Sequence, residues 1–181
     1  MNLLVFILIS FVIIYLSRVS LKKPDSHGFY RFFAWESILG IVFLNIDVWF
    51  VDPWSWHQLI SWFLLVLSAF LIVQAVVLLR SRGKPDRIRS DAPLFELEKT
   101  TALVEVGAYR YIRHPMYSSL LCLAWGIYFK QPSWAGGFLA ISTTVFLLLT
   151  AYIEEKENLR YFGAVYSAYM HRTKRFIPFI F

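Results

Sequence analysis

Two short polar stretches in an otherwise apolar chain carry the residue types that could do chemistry. Residues 107–119 hold Arg110, Arg113 and His114 ahead of a proline, and residues 152–169 open on the adjacent carboxylates Glu154 and Glu155. Basic groups beside a carboxylate pair suit a zwitterionic ligand, because each ligand charge meets an opposite partner in a partly dry site. Helical residues three or four apart share a face. His114, Tyr117 and Leu121 make one such set, Glu154, Asn158, Tyr161 and Val165 a second, and Glu155, Leu159 and Phe162 a third.

The elements that must bring these stretches together are membrane helices. The chain has 181 residues, 58% of them hydrophobic and 19% aromatic, against ~45–50% apolar for an ordinary soluble domain. The apolar residues fall in runs over residues 2–16, 32–50, 59–79, 116–129 and 134–152, without the alternation of barrel strands. In lipid each backbone amide must be satisfied within the chain, which leaves helices. The expected fold is all-α, a polytopic membrane bundle with about five transmembrane helices and a cytoplasmic C-terminal helical site. With the N-terminus outside, residues 17–31, 80–113 and 153–181 are cytoplasmic and carry 4, 8 and 5 Lys and Arg, leaving only Lys130 elsewhere. That is the bias of the positive-inside rule, and Trp49, Trp54, Trp56 and Trp134 form the outer aromatic belt. The first run lacks the charge polarity of a cleaved signal peptide. These features point to the inner membrane of a prokaryote. Gln131, Pro132 and Ser133 break the last two runs into a hairpin, which returns Glu154 and Glu155 to the face where Arg113 and His114 sit.

The net charge of +6 is explained by topology and anionic headgroups, with no call for a nucleic-acid partner. Cys122 stands alone in an apolar run and reads as a core residue, and no Cys/His spacing suits a metal. Glu36 and Asp47 lie in the second run, Asp47 at its outer end and Glu36 near enough to the cytoplasmic end to face the site. Tyr166 and Tyr169 read as interface anchors, and the tail as an amphipathic segment under the bundle with Phe176, Ile177 and Phe179 as apolar anchors. Gly163 permits a bend. Residues 82–93 are the most loop-like. The chain reads as one domain, with residues 1–79 a three-helix scaffold and 80–181 the catalytic half.

The ordered set Leu103, Val104, Gly107, Tyr109, Arg110, Tyr111, Arg113, His114, Pro115 and Tyr117, then Glu154 and Glu155, then Phe162, Gly163, Tyr166 and Tyr169, closing on Arg175, Phe176, Ile177 and Pro178, resembles the isoprenylcysteine carboxyl methyltransferase family and the related phospholipid methyltransferases. It spans roughly residues 95–180. The resemblance implies S-adenosylmethionine as donor, with Leu103, Val104, Tyr109, Arg113, His114, Tyr117, Glu154 and Glu155 at the cofactor, and His114, Arg113 and Glu155 closest to catalysis. By this similarity Glu154 or Glu155 meets the ammonium, Arg113 or Arg110 the carboxylate, and tyrosine faces the sulfonium and adenine. The implied acceptor is lipophilic, a prenylcysteine carboxylate or a lipid headgroup, with no metal. The eukaryotic carboxyl methyltransferases place an arginine shortly before the paired glutamates, where this chain has Thr150, Ala151 and Tyr152. Other small members of the family methylate amines and thiols. Two other classes fit parts of the pattern: a nicotinamide-dependent sterol-reductase-like enzyme, and a non-enzymatic transporter or assembly protein.

Overall fold

The computed structural model describes residues 3–84 and 99–180. Asn2 of the first apolar run, Phe181 and most of the loop-like stretch over 82–93 lie outside the described residues. Helix α1 is Leu3–Leu21, α2 is His27–Asn45 followed by a 3-10 turn over Ile46–Val48, and α3 is Trp56–Arg82. A 3-10 turn over Gly107–Arg110 precedes α4, Pro115–Tyr128; α5 is Trp134–Phe162 and α6 is Ala164–Arg172.

All the expected runs are helical, and four helices, α1, α2, α3 and α5, are long and apolar enough to cross a membrane. With 14 residues, α4 is about 21 Å long at 1.5 Å per residue, short of the ~30 Å hydrocarbon core. It lies against α3 and α5 inside the bundle, where Ala124 and Ile127 are buried. The protein is an integral membrane protein with four candidate spans among the described residues; α4 corresponds to the short fourth run that the sequence reading counted as a further span. The long helices turn apolar side chains outward, as contact with lipid allows: Leu4, Phe11, Phe63, Val66 and Phe138 are all exposed.

Helix α5 runs on beyond the expected end at residue 152. It stays helical through Glu154 and Glu155 for 29 residues in all, because the charged residues there are good helix formers and no breaker intervenes before Gly163. Gly163 has φ 60 and ψ −133, a conformation only glycine adopts readily, and it separates α5 from α6.

Inside the bundle, α2 lies along α5 and α3 along α4. Two core clusters follow this pairing. Ile38 and Ile41 of α2 meet Ala124, Ile127 and Ala140 at one level. Ala34, Tyr117, Leu147 and Ala151 meet at the next, closed by Phe176 of the tail. Polar side chains join the helices where hydrocarbon would leave them unsatisfied: Ser68 donates to the Ser119 carbonyl (2.8 Å) and Trp125 Nε1 to Thr144 (3.1 Å). The α4–α5 turn is pinned at its far end by Lys130, 1% exposed. Its ammonium donates to Gln58 Oε1 at 3.0 Å and sits 3.2 Å from the Trp62 ring centroid and 5.1 Å from that of Trp49. Trp49 therefore serves the interior, while Trp54, Trp56 and Trp134 are exposed as an interface belt requires.

The anchors expected in the tail divide. Phe176 is core, whereas Ile177 and Phe179 are exposed. Truncating Phe176 to Ala should cost about 3–5 kcal/mol, as for other buried phenylalanines, and should free the tail. Denaturant unfolding in detergent, with proteolysis at Lys174 and Arg175 as a second readout, checks this; unchanged stability would place Phe176 outside the core.

Candidate active site

Pro115 occupies the first turn of α4, where its missing N–H costs nothing. The residues just before it pair with the tail. The N–H of Lys174 donates to the Tyr111 carbonyl (3.0 Å), that of Arg113 to the Lys174 carbonyl (2.7 Å) and that of His114 to the Arg175 carbonyl (3.1 Å), around a parallel bridge between Ile112 and Lys174. Ser118 donates its hydroxyl to the Phe176 carbonyl at 2.9 Å. This clip aligns Arg113 and His114 with the tail and turns both toward α5.

The basic patch and the paired glutamates meet. Arg113 Nε donates to Glu155 Oε1 at 2.8 Å, and Arg175 donates to Glu155 through Nε (3.0 Å) and Nη2 (2.8 Å). Glu155 is buried at 2% exposure, so two cations and their N–H groups take the place of its water. His114 lies between the carboxylates, its Nδ1 3.5 Å from Glu154 Oε2 and its Nε2 3.5 Å from Glu155 Oε1, with its ring stacked on Tyr117. Burial works against a charge on this imidazole, but the two carboxylates outweigh burial and raise its pKa above the ordinary histidine value.

One carboxylate is spent on structure and the other is not. Oε2 of Glu154 is buried without a hydrogen-bond partner, and Glu154 faces a cleft also lined by Leu79, Leu103, Val104, Tyr109, Arg113, His114, Met116, Tyr117, Asn158, Phe162, Tyr166 and Tyr169. Its floor is five aromatic rings and its polar end is Glu154, Arg113 and His114. It offers about 80 Å³ to water-sized occupants, the room of a few waters.

Of the expected site residues, Leu103, Val104, Tyr109, Arg113, His114, Tyr117 and Glu154 share this cleft. Glu155 does not line it and instead holds Arg113 and Arg175 from behind. Arg113 is largely committed: Nε to Glu155, Nη1 to the Met170 and Thr173 carbonyls. Among the described residues only its Nη2 is left over. Arg110 lies elsewhere, in a groove with Glu105, Tyr111, Arg172 and Phe179, so it is not a second cation beside Glu154. Glu36 does not face the cleft; its carboxylate accepts from Ser10 of α1 at 2.9 Å. Tyr166 and Tyr169, read as interface anchors, are 3% and 2% exposed and line the cleft, because Gly163 folds α6 back over it and Tyr169 donates to the Tyr109 carbonyl (2.6 Å). Arg175 had no role assigned from sequence. Nothing local distinguishes it from Lys174; the clip alone turns it inward. Among the described residues no group of His, Cys, Asp and Glu could hold a metal ion.

Residues 56–167 match the phospholipid methyltransferase family. The chain belongs to that family. The match takes in the Arg113–His114 patch, the paired glutamates and the start of α6, and leaves out α1, α2 and the tail. Among curated proteins the chain is 29% identical over 138 residues to a methanethiol S-methyltransferase of Pseudomonas sp. (strain GM41(2012)), covering 72% of this chain and 50% of that protein. It is 27% identical over 145 residues to the methanethiol S-methyltransferase of Pseudomonas deceptionensis, covering 79% and 48%. The chain thus spans about half the length of the curated relatives it matches. No solved structure matches it.

The two glutamates should separate by stability. Glu155→Ala leaves two arginines without their buried counter-charge and should cost about 3–5 kcal/mol, while Glu154→Gln should stay within about 1 kcal/mol; equal losses in denaturant unfolding would contradict the division of roles. A raised histidine pKa stabilises the fold fully below the unfolded value of about 6.5, and that contribution is lost as pH rises through the folded value. The stability difference between the native chain and His114→Asn should therefore shrink as pH is raised above about 6.5. A pH-independent difference in thermal unfolding would argue against the charged imidazole.

Proposed function

We propose that the protein is a membrane methyltransferase that takes its methyl group from S-adenosylmethionine in this cleft and passes it to a small lipophilic nucleophile. One observation carries the reading: the Glu154 carboxylate, whose buried Oε2 accepts no hydrogen bond and faces His114 Nδ1 at 3.5 Å, lines an aromatic cleft. An anionic acceptor there fits an ammonium, Nη2 of Arg113 fits a carboxylate, and the rings of Tyr109, Tyr117, Phe162, Tyr166 and Tyr169 fit a sulfonium and an adenine. The donor supplies an electrophilic methyl that is transferred by in-line displacement, a reaction in which alignment alone can contribute ~7–11 kcal/mol.

The residues divide the work accordingly. Glu154 and Arg113 orient the two ends of the donor. Glu155 and Arg175 keep Arg113 from turning. His114 holds its proton because two carboxylates flank it. Once Glu154 is committed to an ammonium, His114 keeps only Glu155 and its hold on the proton weakens; it then releases that proton to water, and the neutral imidazole can accept the proton of an incoming thiol or amine. Substrate class follows from what α5 lacks. Thr150 and Ala151 are fully buried, and the Thr150 hydroxyl is spent on the Phe146 carbonyl at 2.7 Å, so this stretch offers no cation to an acceptor carboxylate. A thiol fits better than a prenylcysteine carboxylate or a charged lipid headgroup, and the relatives named methanethiol S-methyltransferases support that choice. By this reading the donor arrives from the cytoplasm, where the C-terminus lies, and the acceptor from the membrane; residues 1–79 and 80–181 act as scaffold and catalytic half of one domain.

Calorimetry with S-adenosylhomocysteine should show binding to the purified chain and at least a hundredfold loss in Glu154→Ala. Radiolabelled S-adenosylmethionine should label short alkanethiols in preference to a prenylcysteine carboxylate. Equal affinity in Glu154→Ala would remove the donor-site assignment, and preferential carboxylate labelling would remove the thiol assignment.

A further inference from the structure

The family match begins at residue 56, yet α2 reaches the site. His27, in the first turn of α2 and 0% exposed, holds Glu157 of α5 at both carboxylate oxygens: its backbone N–H donates to Oε1 at 3.2 Å and its Nδ1 to Oε2 at 2.5 Å. The Glu157 side chain is itself 11% exposed. A two-point contact, one from the backbone N–H and one from the buried imidazole of a residue 130 positions away in sequence, is more than surface decoration, and none of the chemistry assigned to the cleft uses it.

Helix geometry says what it does. Successive residues of an α-helix are turned by about 100°. Relative to Glu154, Glu155 then lies about 100° to one side and Glu157 about 60° to the other, with Asn158 at about 40° between them. The cleft-facing residues Glu154 and Asn158 are thus straddled by two gripped carboxylates. Arg113 and Arg175 grip Glu155 from the start of α4 and the tail, and His27 grips Glu157 from α2. A single grip leaves a helix free to roll about its axis; two on opposite flanks do not. This matters here because α5 is 29 residues long, about 43 Å, so its last turns project past a ~30 Å hydrocarbon core and cannot rely on lipid to hold their rotation.

We infer that His27 is a positioning residue of the donor site: by clasping Glu157 it fixes the roll of α5 that keeps Glu154 turned into the cleft. The inference rests on the donor-site reading and makes α2 part of the catalytic unit. His27 touches no reacting atom, so its effect falls on donor affinity and leaves the acceptor KM unmoved.

The test uses the full chain in nanodiscs and S-adenosylhomocysteine as probe. His27→Ala should weaken binding about tenfold, with the acceptor KM unchanged. His27→Asn, which keeps an N–H donor at the right end of the side chain, should recover most of the loss and also serves if His27→Ala does not fold. Glu157→Ala should weaken binding as much as His27→Ala, and the double variant should be no worse than either single, the signature of two residues acting as one contact. Native affinity in His27→Ala, additive losses in the double variant, or a rise in acceptor KM would each overturn the assignment. Absence of probe binding to the unmutated chain is a separate result, which would sink the donor-site reading and this inference with it.

Discussion

The end of the bundle where the two polar stretches meet depends on one buried carboxylate. Glu155 is 2% exposed and faces two guanidiniums. A lone charge in that position would cost several kcal/mol, so the fold must deliver Arg113 and Arg175 to it. That demand explains the local architecture. Arg113 comes from the approach to α4, Arg175 from the tail, and the backbone clip between residues 111–114 and 173–176 exists in the geometry that brings both to one acceptor. Its neighbour Glu154 is left with an unsatisfied oxygen as a consequence.

The apolar architecture was readable in the chain because it has a long wavelength. Runs of 15 or more apolar residues can only be membrane helices, and the turn at Gln131, Pro132 and Ser133 marks the hairpin that brings the two polar stretches to one face. Where the reading departed from the structure, the cause was length. The fourth run is short in the sequence, and α4 keeps that length at 14 residues, below the four candidate spans. The last apolar run ends at residue 152, but the charged residues after it keep helical spacing and hold no breaker, so α5 continues to Phe162 and ends at Gly163.

The site was legible where residue type alone carried the signal. Arg113, His114 and Glu154 are conspicuous because charged groups are expensive beside hydrocarbon, and Tyr117 follows from helical spacing. Tyr166, Tyr169 and Arg175 were not legible in the same way. Their side chains reach the cleft only because Gly163 reverses the chain and the tail pairs with residues 111–114, and a pairing of two segments 60 positions apart leaves no local trace. The separation of Glu155 from Glu154 was likewise invisible: adjacent glutamates look equivalent until the helix has a rotation, and that rotation is set by residues on other elements.

The clip also imposes an order on biogenesis. Residues 173–176 follow α1 through α6, so a nascent polypeptide in which those helices are already inserted still has no second guanidinium for Glu155 and no Phe176 to seal the level below. Until that short stretch leaves the ribosome, Glu155 has Arg113 but not Arg175 as a partner, and the core level of Ala34, Tyr117, Leu147 and Ala151 lacks Phe176.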